Sequence, residues 1–395
     1  MTRRLLFALL ALAVGQAAVY VARPMTSYRL LGLGAGPREV GLVAAAFALV
    51  PLFIAIPLGR RADSPRGGSL IVGGSGLEVV ACLLLAIARS PLSLAAASAL
   101  LGLGHLGVAL GAQAVIARES PYERHDRDFG WLTAGVSLGQ LAGPLLAGLI
   151  VGNRTGAALA PAAGHAMLAG AGVAFVALLS GFLAERGHTA PQPPIAPHFE
   201  RTSVLGIVTT PGVAAAIFAS LAVLSAADVF TAYMPVLGEQ RGIEPTIVGV
   251  LLAVRAAASL TSRVGIDTFV RIVGRRRLIV TGCAVAAAAF AGLTLTGDVA
   301  LLVVLSAALG AALGFGQPLS MTMVVRLVPD QARATALAVR LTGNRIGQVA
   351  APAAAGLVAG AASVGAVFAM LGGLLVLSAA AVGSSGGRRG DYRGP

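Results

Sequence analysis

Long runs of apolar residues, broken by short polar segments, recur along the whole chain. Twelve such runs can be marked, and most are close to the roughly 20 residues that a helix needs to cross the hydrocarbon core of a bilayer. The pattern predicts an all-α integral membrane protein with twelve transmembrane helices. The runs lie at residues 5–22, 39–59, 69–88, 92–116, 130–151, 161–183, 212–236, 246–266, 278–296, 299–326, 335–360 and 363–383.

The composition agrees with a polytopic membrane protein. Hydrophobic residues make up 57% of the chain and charged residues 11%, whereas about a quarter of the residues in soluble domains are charged. The basic start followed by Leu5 to Val14 is similar to a secretory signal peptide. Because further apolar runs follow along the whole chain, we interpret this segment as the first span.

The basic residues set the expected orientation. The chain has 29 arginines and no lysine, and most of the arginines lie at the span ends that face the cytoplasm if both termini are cytoplasmic. This asymmetry predicts cytoplasmic termini by the positive-inside rule. It also explains the net charge of +13 by contacts with lipid headgroups, so no nucleic-acid partner is expected. The arginines expected on the other side are Arg23, Arg29, Arg38, Arg89, Arg154 and Arg241.

The chain contains an internal repeat with an offset of 208 residues. The segment that begins at Gln140 returns at Gln348, and glycines, prolines and arginines of loops and spans coincide in the same register. The repeat predicts two pseudo-symmetric six-helix bundles, residues 1–184 and 206–395, the second with a short basic tail. Residues 185–205 form a proline-rich linker on the cytoplasmic side. Parallel halves of this kind occur in transporters that hold substrate near the midplane.

A polar loop after the second span carries a family resemblance. The segment Gly59-Arg-Arg-Ala-Asp63-Ser-Pro-Arg66 resembles the signature loop of the major facilitator superfamily, although the order of the later glycine and basic residues is scrambled. The resemblance implies that Asp63 contacts the start of span eleven and latches the halves together. The alternative is a solvated loop that only sets topology. The latch residues would be Gly59, Asp63, Arg66, Arg263, Asp267 and Arg275.

The fifth span carries small residues at helical spacing around one proline. Gly130, Gly139, Gly143, Pro144 and Gly148 resemble the antiporter signature of the same superfamily, which implies export in exchange for protons. Small residues let a neighbouring helix approach closely in lipid, so ordinary packing is the alternative. We expect spans two, five, eight and eleven to meet between the halves, with span five making the drier contact. A Gly143→Leu change is expected to impair switching more than folding.

Three ionisable residues at span centres are the candidate proton-coupling groups. Glu78 has no arginine in its own half of the membrane core, so it either exchanges protons or remains a neutral acid bonded to a neighbouring group. Asp228 either pairs with Arg255 and stays ionised, or stays unpaired and binds protons readily. His105 lies in the fourth span, where proton-coupled exporters of the superfamily carry an arginine; it is either a core residue or a titrating one.

Polar residues near span centres are expected to line a central cavity. Because the surrounding sequence is apolar and contains few aromatics, we expect a mostly apolar cavity that suits a lipophilic or amphiphilic molecule. The competing hypothesis is an uptake symporter or facilitator for a small metabolite, including an anion attracted by an arginine. The cavity candidates are Gln16, Tyr20, Arg23, Gln140, Arg255, Gln317, Asn344, Arg345 and Gln348.

Other functional classes fit the sequence less well. No nucleophile, histidine-carboxylate or metal-ligand cluster suggests an enzyme, a metal site or a cofactor, and Cys82 and Cys283 have the positions of apolar core residues. No extramembrane domain suggests a sensor. The sequence therefore predicts a monomeric secondary transporter of the bacterial cytoplasmic membrane whose partners are a small-molecule substrate, protons and lipids.

Overall fold

The computed structural model describes residues 2–62, 64, 67–121, 124–186, 204–329 and 332–384, and these contain helices and no strand. Twelve long helices within these ranges correspond to the twelve expected spans. They are α1 (Arg3–Gly32), α2 (Pro37–Ala62), α3 (Ser69–Ile87), α4 (Pro91–Glu119), α5 (His125–Val151), α6 (Leu159–Arg186), α7 (Val213–Gln240), α8 (Pro245–Val264), α9 (Arg275–Leu295), α10 (Val299–Leu327), α11 (Arg333–Ala361) and α12 (Val364–Ser384). Short helices cover Gly156–Ala158, Val204–Thr209 and Ile266–Val273.

Eleven of these helices are long and apolar enough to cross a membrane by length and composition alone. The exception is α11, which is 29 residues long but carries Arg333, Arg340 and Arg345 on its first half. A helix that is too polar to face lipid on all sides needs protein neighbours, and α11 packs against α2 and α7. The lower hydropathy of α11 therefore reflects its position between the halves.

Local chemistry fixes several helix starts. Ser90 and Ser93 form a reciprocal capping box at the start of α4, with Pro91 in the first turn. Asp298 accepts a hydrogen bond from the Leu301 amide at the start of α10. The turn between α1 and α2 contains Gly34 with φ +79°, a backbone conformation that glycine adopts without strain.

Helix α1 extends further than the apolar pattern indicates. The pattern ends it at residue 22, whereas the helix continues through Pro24 to Gly32 and carries Arg23 and Arg29 inside the bundle. Arg29 is buried and donates to the carbonyls of Ala88 and Ala160, at 2.8 and 2.9 Å. These bonds compensate its burial and join the ends of α3 and α6 to α1. The two arginines therefore lie within a helix and not in an outer loop.

The helices form the two six-helix bundles indicated by the repeat. In the first half α1 packs against α5 and α6, and α3 packs against α4 and α6. Across the halves, α2 packs against α11 and α5 against α8, as expected for spans two, five, eight and eleven. The α1 helix also contacts α7. The linker residues 187–203 and the tail residues 385–395 lie outside the described ranges.

The two halves are in close backbone contact at one end of the bundle, which we term the tight end. There Gly41 of α2 meets Gly356 of α11, and Gly249 of α8 meets Gly148 of α5. A methyl group built on Gly249 would lie 2.5 Å from the Pro144 carbonyl oxygen, so only glycine allows this backbone contact. The two contacts are related by the 208-residue offset, so each half contributes the same two positions to the close helix contacts at the tight end.

The repeat also preserves a backbone contact inside each half. Gly102 of α4 packs directly on the Phe47 carbonyl of α2, and Gly310 of α10 packs in the same way on the Arg255 carbonyl of α8. Both glycines are buried in their helices. The backbone contact is the same in both halves, although the residue that supplies the carbonyl group is Phe47 in the first half and Arg255 in the second.

The glycines of α5 have different roles from those expected. Gly139 faces Ala13, Gln16 and Ala17 of α1, and Gly143 faces Ala17 and Tyr20 of the same helix. They therefore pack inside the first half, and only Gly148 reaches across to α8. No described atom lies within 4 Å of a methyl group built on Gly130. In this conformation Gly143 therefore packs against α1 and not against the second half, and the expected effect of Gly143→Leu on switching stays a prediction.

Candidate functional site

A cavity of about 180 Å³ lies between the halves at mid-depth. Helices α1, α2, α4 and α5 of the first half form most of its wall, and α7 and α11 close it from the second half. Nine of its sixteen lining side chains are polar. They are Gln16, Tyr20, Arg23, His105, Gln113, Gln140, Asp228, Arg345 and Gln348.

Apolar surface still makes up slightly more than half of the cavity lining, as expected, but the lining contains more polar side chains than the apolar runs suggest. The pattern of long apolar runs describes the average of each helix, and most of the lipid-facing and core surface is indeed apolar. Gln16, Gln140 and Gln348 are isolated within those runs, yet folding turns all three toward one space. Gln113, which the sequence interpretation did not select, lies eight residues after His105 on α4 and lines the same cavity. That helical spacing was the available signal.

An ion pair joins the two halves at the cavity wall. Arg23 Nη1 of α1 donates to Asp228 Oδ1 of α7 over 2.6 Å, and Gln348 Nε2 of α11 donates to Asp228 Oδ2 over 2.8 Å. The Arg23 guanidinium also lies 4.8 Å from the centroid of the Phe47 ring. Both oxygens of Asp228 are therefore satisfied, and the arginine is compensated by a carboxylate and an aromatic face.

The partner of Asp228 is thus Arg23 and not Arg255. Arg255 is buried beside Tyr20, and its Nε atom has no hydrogen-bond partner among the described residues. It does not line the cavity. The sequence interpretation weighed only Arg255 as a partner of Asp228, because helix rotation and the length of α1 decide which arginine reaches Asp228, and neither can be determined from spacing alone.

Arg345 presents an unneutralised charge to the cavity. Its Nη1 atom donates to Gln348 Oε1 over 3.0 Å, so a neutral amide positions it. Within the described ranges, no carboxylate lies within ion-pair distance of Arg345, and Asp228, which pairs with Arg23, acts on it only from a longer distance. The cavity therefore contains two guanidinium groups and one carboxylate.

Glu78 and His105 form a second ionisable pair behind the cavity wall. Glu78 of α3 is fully buried, and its Oε1 atom lies 3.8 Å from Nδ1 of His105 on α4. Neither carboxyl oxygen has a hydrogen-bond partner among the described residues. Gly15 of α1 and Gly104 of α4 leave the space that the Glu78 side chain fills. Because the His105 side chain lines the cavity, it separates Glu78 from the space accessible to a solute.

Two cavity candidates lie elsewhere, in a polar cluster inside the second half. Gln317 of α10 accepts from Arg340 of α11 over 2.7 Å and donates to the Ser220 carbonyl of α7, also over 2.7 Å. Asn344 donates to the same Gln317 oxygen over 3.4 Å. Neither Gln317 nor Asn344 lines the cavity. Arg340 is the charged residue of this cluster, and it is buried. Its charge is compensated only by hydrogen bonds, chiefly to the Gln317 amide.

The latch stays a prediction. Asp63 and Arg66 lie outside the described residues, and no described atom lies within 4 Å of a methyl group built on Gly59. The second-half counterparts are Arg263 on α8, Asp267 on the short helix Ile266–Val273, and Arg275 at the start of α9. None of these three forms an ion pair with another residue in the described part of the chain.

No metal-binding cluster occurs where the structure describes the chain. Histidine, cysteine, aspartate and glutamate side chains do not gather in groups of three or more there. Cys82 and Cys283 are buried free cysteines in different halves. The chemistry that the site offers is therefore hydrogen bonding, ion pairing and proton transfer.

Comparisons with solved structures identify the fold. The nucleoside transporter NupG aligns with 98% of this chain and 99% of its own at 16% identity and a TM-score of 0.72. An inward-facing, occupied bacterial homolog of the human lysosomal transporter Spinster aligns at 15% identity, covering 98% of this chain and 97% of that chain, with a TM-score of 0.75. At these identities, the likeness supports the shared fold alone.

A peptide-bound structure gives the same result. A POT family transporter in complex with a thioalcohol-conjugated peptide covers 95% of this chain and 94% of its own, at 15% identity and a TM-score of 0.76. No curated protein sequence matches this chain significantly. The sequence profile of the Major Facilitator Superfamily matches residues 5–300 and 217–385. The protein is therefore a membrane transporter and not an enzyme, and the chain belongs to the Major Facilitator Superfamily.

Proposed function

We propose that this transporter is proton-coupled and moves a small polar solute by alternating access between its halves. The observation that carries the proposal is the charged cavity at mid-depth, which both halves line and which the Arg23–Asp228 ion pair bridges. A solute bound there contacts both halves, so its binding changes the free-energy difference between their arrangements. The volume of about 180 Å³ is below the 300–1,000 Å³ of sites for drug-sized ligands, which supports a small solute.

The tight end is proposed to face the outside of the cell. In that orientation α1 begins in the cytoplasm, and most arginines lie on the cytoplasmic side. The glycine contacts Gly41–Gly356 and Gly148–Gly249 then form the outer closure of the cavity. Opening requires both contacts to separate, while the packing of α1 on α5 inside the first half can remain unchanged.

Glu78 and His105 are proposed as the proton site. Burial without a counter-charge disfavours the ionised form of Glu78, so a neutral acid is the stable form in this conformation. His105 lines the cavity and faces Glu78, which suits transfer of a proton between the cavity and the buried carboxyl group. The charged groups that act on His105 from the neighbouring helices are Arg23, Asp228 and Arg345.

Two directions of transport each have one supporting observation. Export in exchange for protons, including export of an amphiphilic molecule, is favoured by the resemblance of the α5 pattern Gly130 to Gly148 to the antiporter signature. Uptake of a solute together with protons is favoured by Arg23 and Arg345 in the cavity wall, because these cations would attract an anionic metabolite beside the proposed proton site. The two directions differ in the sign of proton movement when a solute enters.

The test uses proteoliposomes with a trapped pH indicator and equal pH on both sides. A panel of monocarboxylates, phosphate monoesters, neutral amides, nucleosides and quaternary amines is added outside, and solute entry is followed by mass spectrometry. Acidification of the interior on solute entry indicates symport, and alkalinisation indicates exchange. Both signs are independent of the orientation in which the protein inserts.

Glu78→Gln retains the size of the side chain and removes the proton site. We expect this variant to move solute without the coupled pH change. Glu244→Gln, which alters an exposed carboxylate outside the cavity, serves as the matched control and should couple normally. Solute entry without any pH change in the unmodified protein would contradict proton coupling. Normal coupling in Glu78→Gln would contradict the assignment of the proton site.

A further inference from the structure

The cavity contains an excess of positive charge near the middle of the membrane. Its charged lining consists of Arg23, Arg345 and Asp228, together with His105, which adds a positive charge when protonated. Arg23 and Asp228 neutralise each other over 2.6 Å. Arg345 donates a hydrogen bond to the neutral amide of Gln348 and interacts with Asp228 only from beyond ion-pair distance, while the buried Arg255 behind Tyr20 adds to the positive field. No other carboxylate lines this cavity.

An arginine at this depth requires a compensating partner. Charged side chains in the membrane interior are unfavourable by several kcal/mol unless they face a cavity or pair with an opposite charge. Two buried arginines satisfy this condition by internal contacts: Arg29 donates to two carbonyls, and Arg340 donates to Gln317. Arg345 faces the cavity, so its partner is the group that enters the cavity.

We infer that the transported solute is a small organic anion whose carboxylate or phosphate group binds Arg345. This inference rests on the proposed function and adds the chemical class of the solute. A guanidinium presents parallel N–H donors that match two oxygens of such an anion. The amide and hydroxyl groups of Gln16, Gln140 and Tyr20 line the same space and can bind the remaining polar atoms.

The anion competes with Asp228 for positive charge. Arg23 and Arg345 both line the cavity, and Asp228 holds Arg23 through Oδ1 and Gln348 through Oδ2. Gln348 also accepts from Arg345, so the network Arg23–Asp228–Gln348–Arg345 is continuous across the cavity wall. A bound anion therefore lies close to Asp228, and the two negative charges repel each other.

The charge of a bound anion couples it to protons. An anion in the cavity favours the protonated form of His105, which adds positive charge nearby, and opposes ionisation of Glu78 behind it. By thermodynamic reciprocity, protonation of these groups strengthens anion binding by the same factor. Proton and anion are therefore bound together, which makes symport the expected mode for this solute class.

Binding is tested with the purified full-length transporter and pairs of isosteric probes. Monocarboxylates of two to seven carbons and simple phosphate monoesters are compared with their neutral amides or alcohols, at constant ionic strength. Thermal stabilisation as a function of probe concentration yields the dissociation constants. We expect anions to bind at least about tenfold more tightly than the matched neutral compounds, and more tightly at pH 6 than at pH 8.

Two substitutions in the network have opposite expected effects. Arg345→Gln should weaken anion binding by about tenfold or more, since it removes the free guanidinium. Asp228→Asn should strengthen anion binding by about threefold or more, because it removes the competing carboxylate. A purely structural role of the network would weaken binding in both variants. Arg277→Gln, an exposed arginine at the cytoplasmic end of α9, is the matched control and should bind as the unmodified protein.

Asp228→Asn leaves Arg23 without its carboxylate, so its stability is measured first by the melting temperature without probe. If this variant is unstable, the anion itself should raise its melting temperature more than that of the unmodified protein. The inference would be overturned if neutral compounds or amines bound as tightly as the matched anions or more tightly. Unchanged anion affinity in Arg345→Gln would also overturn it. If a neutral solute moves protons in the proteoliposome assay, the inference fails and the proposed function stands. If an anion binds by this pattern but enters without protons, the proposed function fails alone.

Discussion

The glycine at position 249 determines how closely α5 and α8 approach at the tight end. We predict that Gly249→Ala weakens this closure while each half still folds. The added methyl group would lie 2.5 Å from the Pro144 carbonyl oxygen and 3.2 Å from the Gly148 Cα atom, whereas ordinary contacts begin at 3.4 Å. The two helices therefore have to separate by about 1 Å, roughly the shortfall in the shorter of these contacts.

The magnitude follows from the cost of overpacking. Inserting one extra carbon into a well-packed contact destabilises it by about 1–3 kcal/mol. Since about 1.4 kcal/mol is a factor of ten in an equilibrium constant, the ratio of open to closed tight end should rise by roughly 5- to 150-fold. The conformation with the tight end open does not contain the contact, so the penalty applies to the closed state alone.

A cysteine reporter measures this ratio. Ser27 of α1 is buried beneath the tight end and donates across the halves to the Ala232 carbonyl over 2.8 Å, and Ser27→Cys changes only one atom. The labelling rate with a membrane-impermeant maleimide, added outside intact cells, should rise in Gly249→Ala by the same factor. The native Cys82 and Cys283 are buried, so their background labelling should be low.

The controls are alanine substitutions at Gly172 of α6 and Gly373 of α12, where no described atom lies within 4 Å of the added methyl group. Both should label at the rate of the reporter protein. Labelling of folded Gly249→Ala at that same rate would refute the closure by glycine contact. An increase found only in inside-out vesicles would instead refute the proposed orientation of the tight end.

Three further outcomes are expected. Gly143→Leu should lower the melting temperature and expression sharply, because the new side chain would meet Ala17 of α1 inside the same half; a stable variant that transports poorly would restore a switching role. Arg29→Gln should also lower the melting temperature, since it removes charged donors from two buried carbonyls, while Arg89→Gln should not; equal melting temperatures would contradict the capping role. Cys82 should react with a small thiol reagent only on unfolding, and rapid labelling of the native protein would contradict its burial.

Much of the fold could be predicted because it depends on patterns along one chain. Run length against bilayer thickness yielded the spans, including α11 from its own apolar run at residues 335–360 although its arginines lower its hydropathy. Spans two, five, eight and eleven were expected to meet between the halves, and the structure pairs α2 with α11 and α5 with α8. Periodicity also suggested that glycines in α5 pack closely, but not which helix they face.

The site was predicted less completely because it depends on rotation about each helix axis. Arg23 was expected both on the outer side of the membrane and among the cavity residues, but its pairing with Asp228 depends on the continuation of α1 through Pro24, which the apolar pattern did not indicate. Gln317 and Gln348 are both glutamines within apolar runs and were both expected to line the cavity, but of the two only Gln348 does. Differences of some tens of degrees in helix rotation decide such cases, and apolar patterns in lipid constrain that rotation weakly because the lipid face and the core face are both apolar.

The matched contacts of Gly102 on Phe47 and Gly310 on Arg255 suggest how the two copies diverged. A glycine that packs on a carbonyl group contacts the backbone of the neighbouring helix, so the contact does not depend on which side chain that residue carries. Position 47 could therefore become an aromatic residue under Arg23, and position 255 a buried cation beside Tyr20, without disturbing the helix contact that both inherited. The charge at this position could therefore change in one half while the helix contact stayed the same in both halves. Exchanging these two side chains, with the glycines left in place, is thus the natural starting point for changing the solute of this transporter without redesigning its movement.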